Sequence, residues 1–212
     1  TESVLNIERV AVADMTVNLE IGAKARAIAT GQLKVLEELY VAFFNRVPDA
    51  DGLAYWIDQT RAGQTLGSIA ESFYSAALLY PTQTGYTAAM THADFVNVIY
   101  RNVLGRTGGA DAEGLAYWTT ALSSGAQSRG GLVTTILATA HTFKGDATYG
   151  YVADLLDNKA AVANTFAVEK GLSYNTPEAS ISNGMAIAGA VTATSTAAAI
   201  TLIGVTDGFV VG

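Results

Sequence analysis

Leu39-Tyr40-Val41-Ala42-Phe43-Phe44-Asn45-Arg46-Val47-Pro48-Asp49-Ala50-Asp51-Gly52-Leu53-Ala54-Tyr55-Trp56 returns in altered form as Ile99-Tyr100, Leu104, Arg106 and Glu113-Gly114-Leu115-Ala116-Tyr117-Trp118. The tetrapeptide Leu-Ala-Tyr-Trp recurs unchanged at an offset of 62, from Leu53 to Leu115, whereas the arginine recurs at an offset of 60, from Arg46 to Arg106. The second turn therefore carries two extra residues, among 107–110. Both tryptophans of the chain fall at the same place in the two copies. Self-similarity at this spacing means duplicated helical units, each needing the other to bury its apolar face.

Working outward, Leu33, Leu36, Leu39, Tyr40, Phe43 and Phe44 share one helical face. Pro48 ends that helix near Asn45-Arg46, because the residue before a proline is pushed out of helical geometry. Asp49 is placed to cap a second helix over Ala50 to Arg61, closed by Gly63. A third runs from Leu66 to Leu79 and stops at Pro81. Beyond the second copy, Leu132 to His141 and Tyr151 to Lys170 read as helices, the latter closed by Gly171. The stripes Val4, Leu5, Ile7, Val10, Ala11, Val12 and then Ile21 to Ala29 predict helix over residues 2–30, with Gly22 and Gly31 as punctuation. Residues 179–206 contain no charge but are interrupted by Ser, Thr and Asn, so a pair of tightly packed Ala/Gly helices is expected there rather than a membrane span. Leu202 to Val211 suits a strand or a helix equally, leading into a further domain. The expectation is an all-α chain of two tandem helical repeats with flanking helices. Its segments are 1–34 (N-terminal helices), 35–95 (repeat 1), 96–145 (repeat 2) and 146–212 (C-terminal helices).

Composition sets limits on function. In 212 residues, 50% are hydrophobic and 15% charged, which excludes a disordered chain. With no cysteine, disulfide scaffolds and thiolate zinc sites are excluded. Twelve basic against nineteen acidic residues give a net charge of −7, a field that repels a nucleic-acid backbone. A cysteine-free chain rich in small residues suits a protein exported in bulk to a bacterial surface. Thr1-Glu2-Ser3 lacks the basic start of a signal peptide, so a processed chain, or a piece of a longer one with an export signal beyond Gly212, is expected.

The repeated turn has two readings. As structure, Arg46 suits orphan carbonyls or the turn carboxylates, Asp49 caps, Gly52 permits close backbone approach, and Tyr55 and Trp56 bury their rings between helices. As a site, the turn could hold a cation or a sugar. Setting Gly52 at position 6 of an EF-hand loop supplies Asp49, Asp51 and a final Asp58 as calcium ligands but puts Val47 at position 1. The second copy offers Glu113 and Asp111 with Gly109 first and Thr120 last, half a ligand set. His92 and His141 stand in separate segments with no serine or aspartate spaced for a triad. Phosphate-loop and nucleophile-elbow patterns are absent, so the chain is read as non-enzymatic.

The two copies resemble a bacterial repeat family of uncertain function found in secreted and surface-layer proteins, and more distantly the helical domain of phycobilisome linkers. Tyr40, Arg46, Pro48, Asp49, Gly52, Tyr55 and Trp56 match its pattern in copy 1; Tyr100, Arg106, Gly114, Tyr117 and Trp118 do so in copy 2, which departs at the Pro-Asp step. Asn158-Lys159, Val162-Ala163 and Phe166-Ala167 resemble the helix that trails such repeats, so the likeness spans about residues 35–172. It implies a secreted, self-associating subunit of a bacterial surface layer, or else an anchor for lipopolysaccharide or another surface glycan. Tyr40, Tyr80, Tyr86, Tyr149 and Tyr151 would then serve the sugar groove. A phycobilisome-type linker is the further alternative, which the net charge of −7 disfavours.

Overall fold

A computed structural model describes residues 8–204, 210 and 211. The chain is largely all-α: the described residues form eleven helices and one small antiparallel sheet. Repeat 1 is α2 (Thr30–Phe44), α3 (Ala50–Arg61) and α4 (Leu66–Ala77); the short α5 (Pro81–Thr84) leads into repeat 2, α6 (His92–Leu104), α7 (Ala112–Ser123) and α8 (Arg129–Thr142). Like packs on like. The first helices of the two repeats, α2 and α6, lie together, and the third helices, α4 and α8, make the most extensive pairing in the molecule. They can approach because of Gly130, where a Cβ would stand 2.5 Å from the Glu71 nitrogen and 2.7 Å from the Ala70 carbonyl carbon.

The N-terminal segment departs from expectation. Where residues 2–30 were predicted helical, the chain forms β1 (Arg9–Ala11), β2 (Met15–Asn18) and only one short helix, α1 (Ile21–Ala25); residues 2–7 of that prediction lie outside the described residues. The reason is β-branching: Val10, Thr16 and Val17 lose rotamer freedom in a helix and pack readily on a pleated surface. The partner that decides it is distant. β2 pairs antiparallel with β3 (Leu172–Tyr174), matching Thr16 to Ser173 and Val17 to Leu172. Gly22 and Gly31 do not punctuate, since both lie inside helices.

The long α9 (Gly150–Asn164) ends in a π-turn over Thr165–Glu169, and Gly171, at φ +62°, closes it as expected. α10 (Pro177–Gly189) and α11 (Ala197–Ile203) are the predicted pair of short helices, and they pack together. α10 crosses the first repeat turn at Gly184, whose carbonyl accepts from the Val47 amide at 3.2 Å. Among the described residues no helix is long and apolar enough to cross a membrane. Helix reaches Ile203; the rest of the stretch predicted as strand or helix falls mostly on residues 205–209, outside those described.

Charged groups enter this core from α2 and α9. Glu38 is buried, with the His141 Nε2 at 2.7 Å from its Oε1. Lys159, also buried, donates to the Asn102 carbonyl at 3.3 Å, and burial pushes its amine down to about 8. Burial likewise pushes the Glu37 carboxyl up to about 8, helped by Glu38 and Glu169 and opposed by the Asn164 hydrogen bond and Lys34. Below the ordinary carboxylate range Glu37 is protonated both folded and unfolded. Between that range and about 8 the folded chain holds the extra proton, so stability falls as pH rises.

Two predictions follow from this packing. Urea unfolding at pH 5 and at pH 8 will show wild type losing about 2–4 kcal/mol more over that interval than Glu37→Gln. Lys159, whose contribution changes only above about 8, stays out of that window. Gly130→Ala will cost about 1–3 kcal/mol by forcing α4 from α8. The control Gly31→Ala, where a Cβ meets nothing within 4 Å, will cost nothing measurable.

Candidate functional site

Each repeat is knotted at its turn by the residues the two copies share. In repeat 2 the Trp118 indole donates to the Tyr100 hydroxyl at 3.0 Å, and Arg106 lies over the Tyr100 ring at 5.5 Å. In repeat 1 Arg46 covers the Tyr40 ring at 5.0 Å, and Trp56 lies at the position equivalent to Trp118. Burial pushes both phenols above the ordinary tyrosine range, so they stay protonated. Gly52 and Gly114 are needed beneath those hydroxyls: a Cβ would stand 2.6 Å from the Tyr40 oxygen and 2.7 Å from that of Tyr100. The close approach is thus side chain to backbone, not the backbone to backbone expected.

The acid of the turn is also shared, although the second copy departs at the Pro-Asp step. Arg46 Nη1 meets Asp49 at 3.0 Å, and Arg106 Nη1 meets Asp111 at 3.0 Å. The two extra residues in the second turn simply carry the aspartate to the same place. Their second roles differ. Asp111 caps α7 by accepting from the Gly114 amide at 2.8 Å, and this bond, with Arg106, holds its carboxyl below the usual range. Asp49 starts α3 without a side-chain cap. Its oxygens instead accept from the Tyr174 amide and the Ser180 hydroxyl, tying the turn to β3 and α10. Pro48 is buried in that turn. The adjacent tyrosines do not bury their rings as expected: Tyr55 is 55% and Tyr117 66% exposed, each set edge-on to its neighbouring tryptophan.

The calcium candidates do not converge. Asp49 is held by Arg46, Asp51 by Arg9 and Asn18, and Asp58 by Lys24 and Arg61. Among the described residues no group of three or more His, Asp or Glu side chains is placed to hold a metal ion. Nor do the histidines meet: His92 opens α6, while His141 bridges toward Glu38 and Asp157.

Above each knot lies a pocket. The first is a cleft of about 610 Å³ with an aromatic floor of Tyr40, Phe44, Trp56 and Phe73, and with Tyr80 and Gln83 at its rim. Its far wall is polar: Asp51, Ser173, Asn175, Thr176 and Ser180. The second, about 220 Å³, uses equivalent positions of repeat 2. Tyr100, Leu104, Arg106, Asp111, Trp118, Ile136, Thr139 and Phe143 stand where Tyr40, Phe44, Arg46, Asp49, Trp56, Phe73, Ala76 and Tyr80 line the first. The C-terminal segment that walls the first cleft is replaced over the second by Tyr149 and Val152. Of the five tyrosines expected in a sugar groove, Tyr40 and Tyr80 line the first cleft and Tyr149 the second. Tyr86 is fully buried, donating to the Ala42 carbonyl at 2.9 Å, and the exposed Tyr151 lines neither.

Residues 81–143 match a domain of unknown function, DUF4214. That span begins at α5 and ends one residue beyond α8, so it takes in the helices of repeat 2 and the lining of the second pocket apart from Tyr149 and Val152. No curated protein and no solved structure matches the chain.

The knot makes a prediction of its own. Gly114→Ala and Tyr100→Phe will each destabilise by about 1–3 kcal/mol, the first by crowding and the second by orphaning the Trp118 indole. The double variant will cost clearly less than their sum, because the atom that crowds the new methyl is the hydroxyl that Phe lacks. Additive costs in a double-mutant cycle would refute this account of the knot.

Proposed function

We propose that this chain is a non-enzymatic module of the bacterial cell surface, secreted to the envelope, and that it anchors there by holding a surface glycan in the first cleft. The observation that carries the reading is the cleft itself. A half-buried Trp56 and a 40% exposed Tyr80 offer faces for the apolar side of a sugar ring, opposite a wall of hydroxyls, an amide and a carboxylate. About 610 Å³ is a usual volume for a small-ligand site and leaves room for a short oligosaccharide. Binding suits the carboxylates better than catalysis does. Asp49 and Asp51 are both occupied by arginine and by further donors, which leaves neither free to move a proton. The cysteine-free composition and the likeness of the repeat turns to surface-layer proteins support the location.

Self-assembly into a surface layer is the second reading. It is favoured by the equivalent exposed tyrosines, Tyr55 and Tyr117, which present the same apolar feature twice. The two roles are compatible in an anchored lattice.

Polysaccharide released from lipopolysaccharide by mild acid, titrated against the purified protein, will quench tryptophan fluorescence. Tyr80→Ala, at the rim, will weaken that binding at least tenfold, about 1.4 kcal/mol. No quenching beyond that of a control protein of equal charge, or an unaltered affinity in Tyr80→Ala, would overturn the anchoring role. Sheets seen by negative-stain microscopy would speak for assembly, and persistent monomers against it.

A further inference from the structure

We infer that the pocket of repeat 2 is a second, narrower glycan subsite that takes a single 6-deoxyhexose ring. The inference rests on the glycan reading of the first cleft, since it treats the two pockets as duplicated versions of one site. Duplication alone would preserve the knot, which is structural. It does not account for the open space above the knot in the second copy, nor for the aromatic mouth that frames it.

That mouth is Phe143 and Tyr149, 37% and 44% exposed, with ring centroids 5.6 Å apart. Keeping two large aromatic faces in water beside a cavity is unfavourable unless something covers them. Phe143 stands at the position of Tyr80 in the first cleft. Beneath the mouth, the volume is about 220 Å³ against about 610 Å³, which suits one ring rather than a chain of them.

The lining decides which ring. Leu104 of α6, Ile136 and Ala140 of α8 and Val152 of α9 supply apolar lining, while Arg106 and Asp111 put polar atoms at the turn between α6 and α7. The polar wall that β3 and α10 supply to the first cleft has no counterpart among the residues lining the second. A ring with hydroxyls on one edge and a methyl on the other matches this division. An ordinary hexose would carry its hydroxymethyl group against the apolar lining, losing water without gaining a partner. Discrimination against a group that buries an unpaired hydroxyl is the kind of selectivity such a lining can deliver.

The two tryptophans of the chain report the two pockets separately, Trp56 in the first and Trp118 in the second. In ¹⁵N-labelled protein the two indole N–H signals, assigned with Trp118→Phe, are followed while 6-deoxyhexoses are added. The sugars are the manno and galacto series in D and L forms, each paired with its parent hexose. The Trp118 signal will move with a 6-deoxyhexose at a concentration at least tenfold below that needed for its parent. Thr139→Phe, which fills the pocket, will abolish that movement and leave the Trp56 response to polysaccharide intact. If Trp56 responds to polysaccharide while Trp118 stays still with every sugar, this inference falls and the first-cleft reading stands. If Trp118 moves and Trp56 never does, the second subsite stands and the anchoring role of the first cleft falls. Equal response to deoxy and parent sugars would overturn the methyl specificity, and silence from both signals would overturn both.

Discussion

A buried tyrosine hydroxyl pressed against a glycine holds each repeat together, and the rest of the molecule is arranged around that contact. The hydroxyl of Tyr100 accepts from the Trp118 indole, and that of Tyr40 lies over Gly52 as Tyr100's lies over Gly114. Each arginine can then lie over the phenol ring and reach the aspartate that opens the next helix. Two helices meeting at a tight turn normally leave orphan carbonyls at one end and orphan amides at the other. Here one cluster of five residue types satisfies the turn, fixes the crossing of the two helices and supplies an aromatic floor. A cation over an aromatic face, paired at the same time with a carboxylate, gains from both neighbours.

What differs between the copies matters as much as what they share. Asp111 spends its second oxygen capping its own helix, whereas Asp49 turns outward to Tyr174 and Ser180. Asp51 does likewise, gripping Arg9 and Asn18 of the N-terminal hairpin while its amide donates to the Ser173 hydroxyl. The β1–β2 hairpin and the segment from β3 into α10 are thus drawn over the first repeat, where they raise the polar wall of the larger cleft. Among the described residues repeat 2 receives no such cover and keeps a smaller, more apolar pocket. A duplicated scaffold has been finished in two ways, and the difference lies in segments outside the repeat.

Buried charge in α2 could be read from the helical spacing. Glu37 falls four residues after Leu33 and three before Tyr40, on the apolar face, and a carboxyl in that position has to be satisfied or stay protonated. Its partner could not be read in the same way: Asn164 lies 127 residues further on. The same holds for the far wall of the cleft, since Ser173, Asn175 and Ser180 sit in a stretch with no motif to mark them. The N-terminal hairpin escaped because Val10 to Val12 fits a helical stripe as well as a strand, and only the pairing with Leu172 to Tyr174 settles it.

The sequence by itself determined the duplication, the largely helical character, the C-terminal limit of α2, both limits of α3 and the residues of the knot. These are local facts, written in periodicity, in Pro48 and in the closing glycines, and they need no distant partner to be legible. Tertiary structure alone decided that Asp49 turns to Tyr174 and Ser180 while Asp111 caps its own helix, that Tyr55 and Tyr117 face water while their tryptophans turn inward, and that two pockets of unequal size stand over equivalent turns. Those outcomes depend on which surfaces meet after the chain has closed on itself. A side chain's neighbours across more than a hundred residues are set by the packing of whole helices, and no local pattern encodes them.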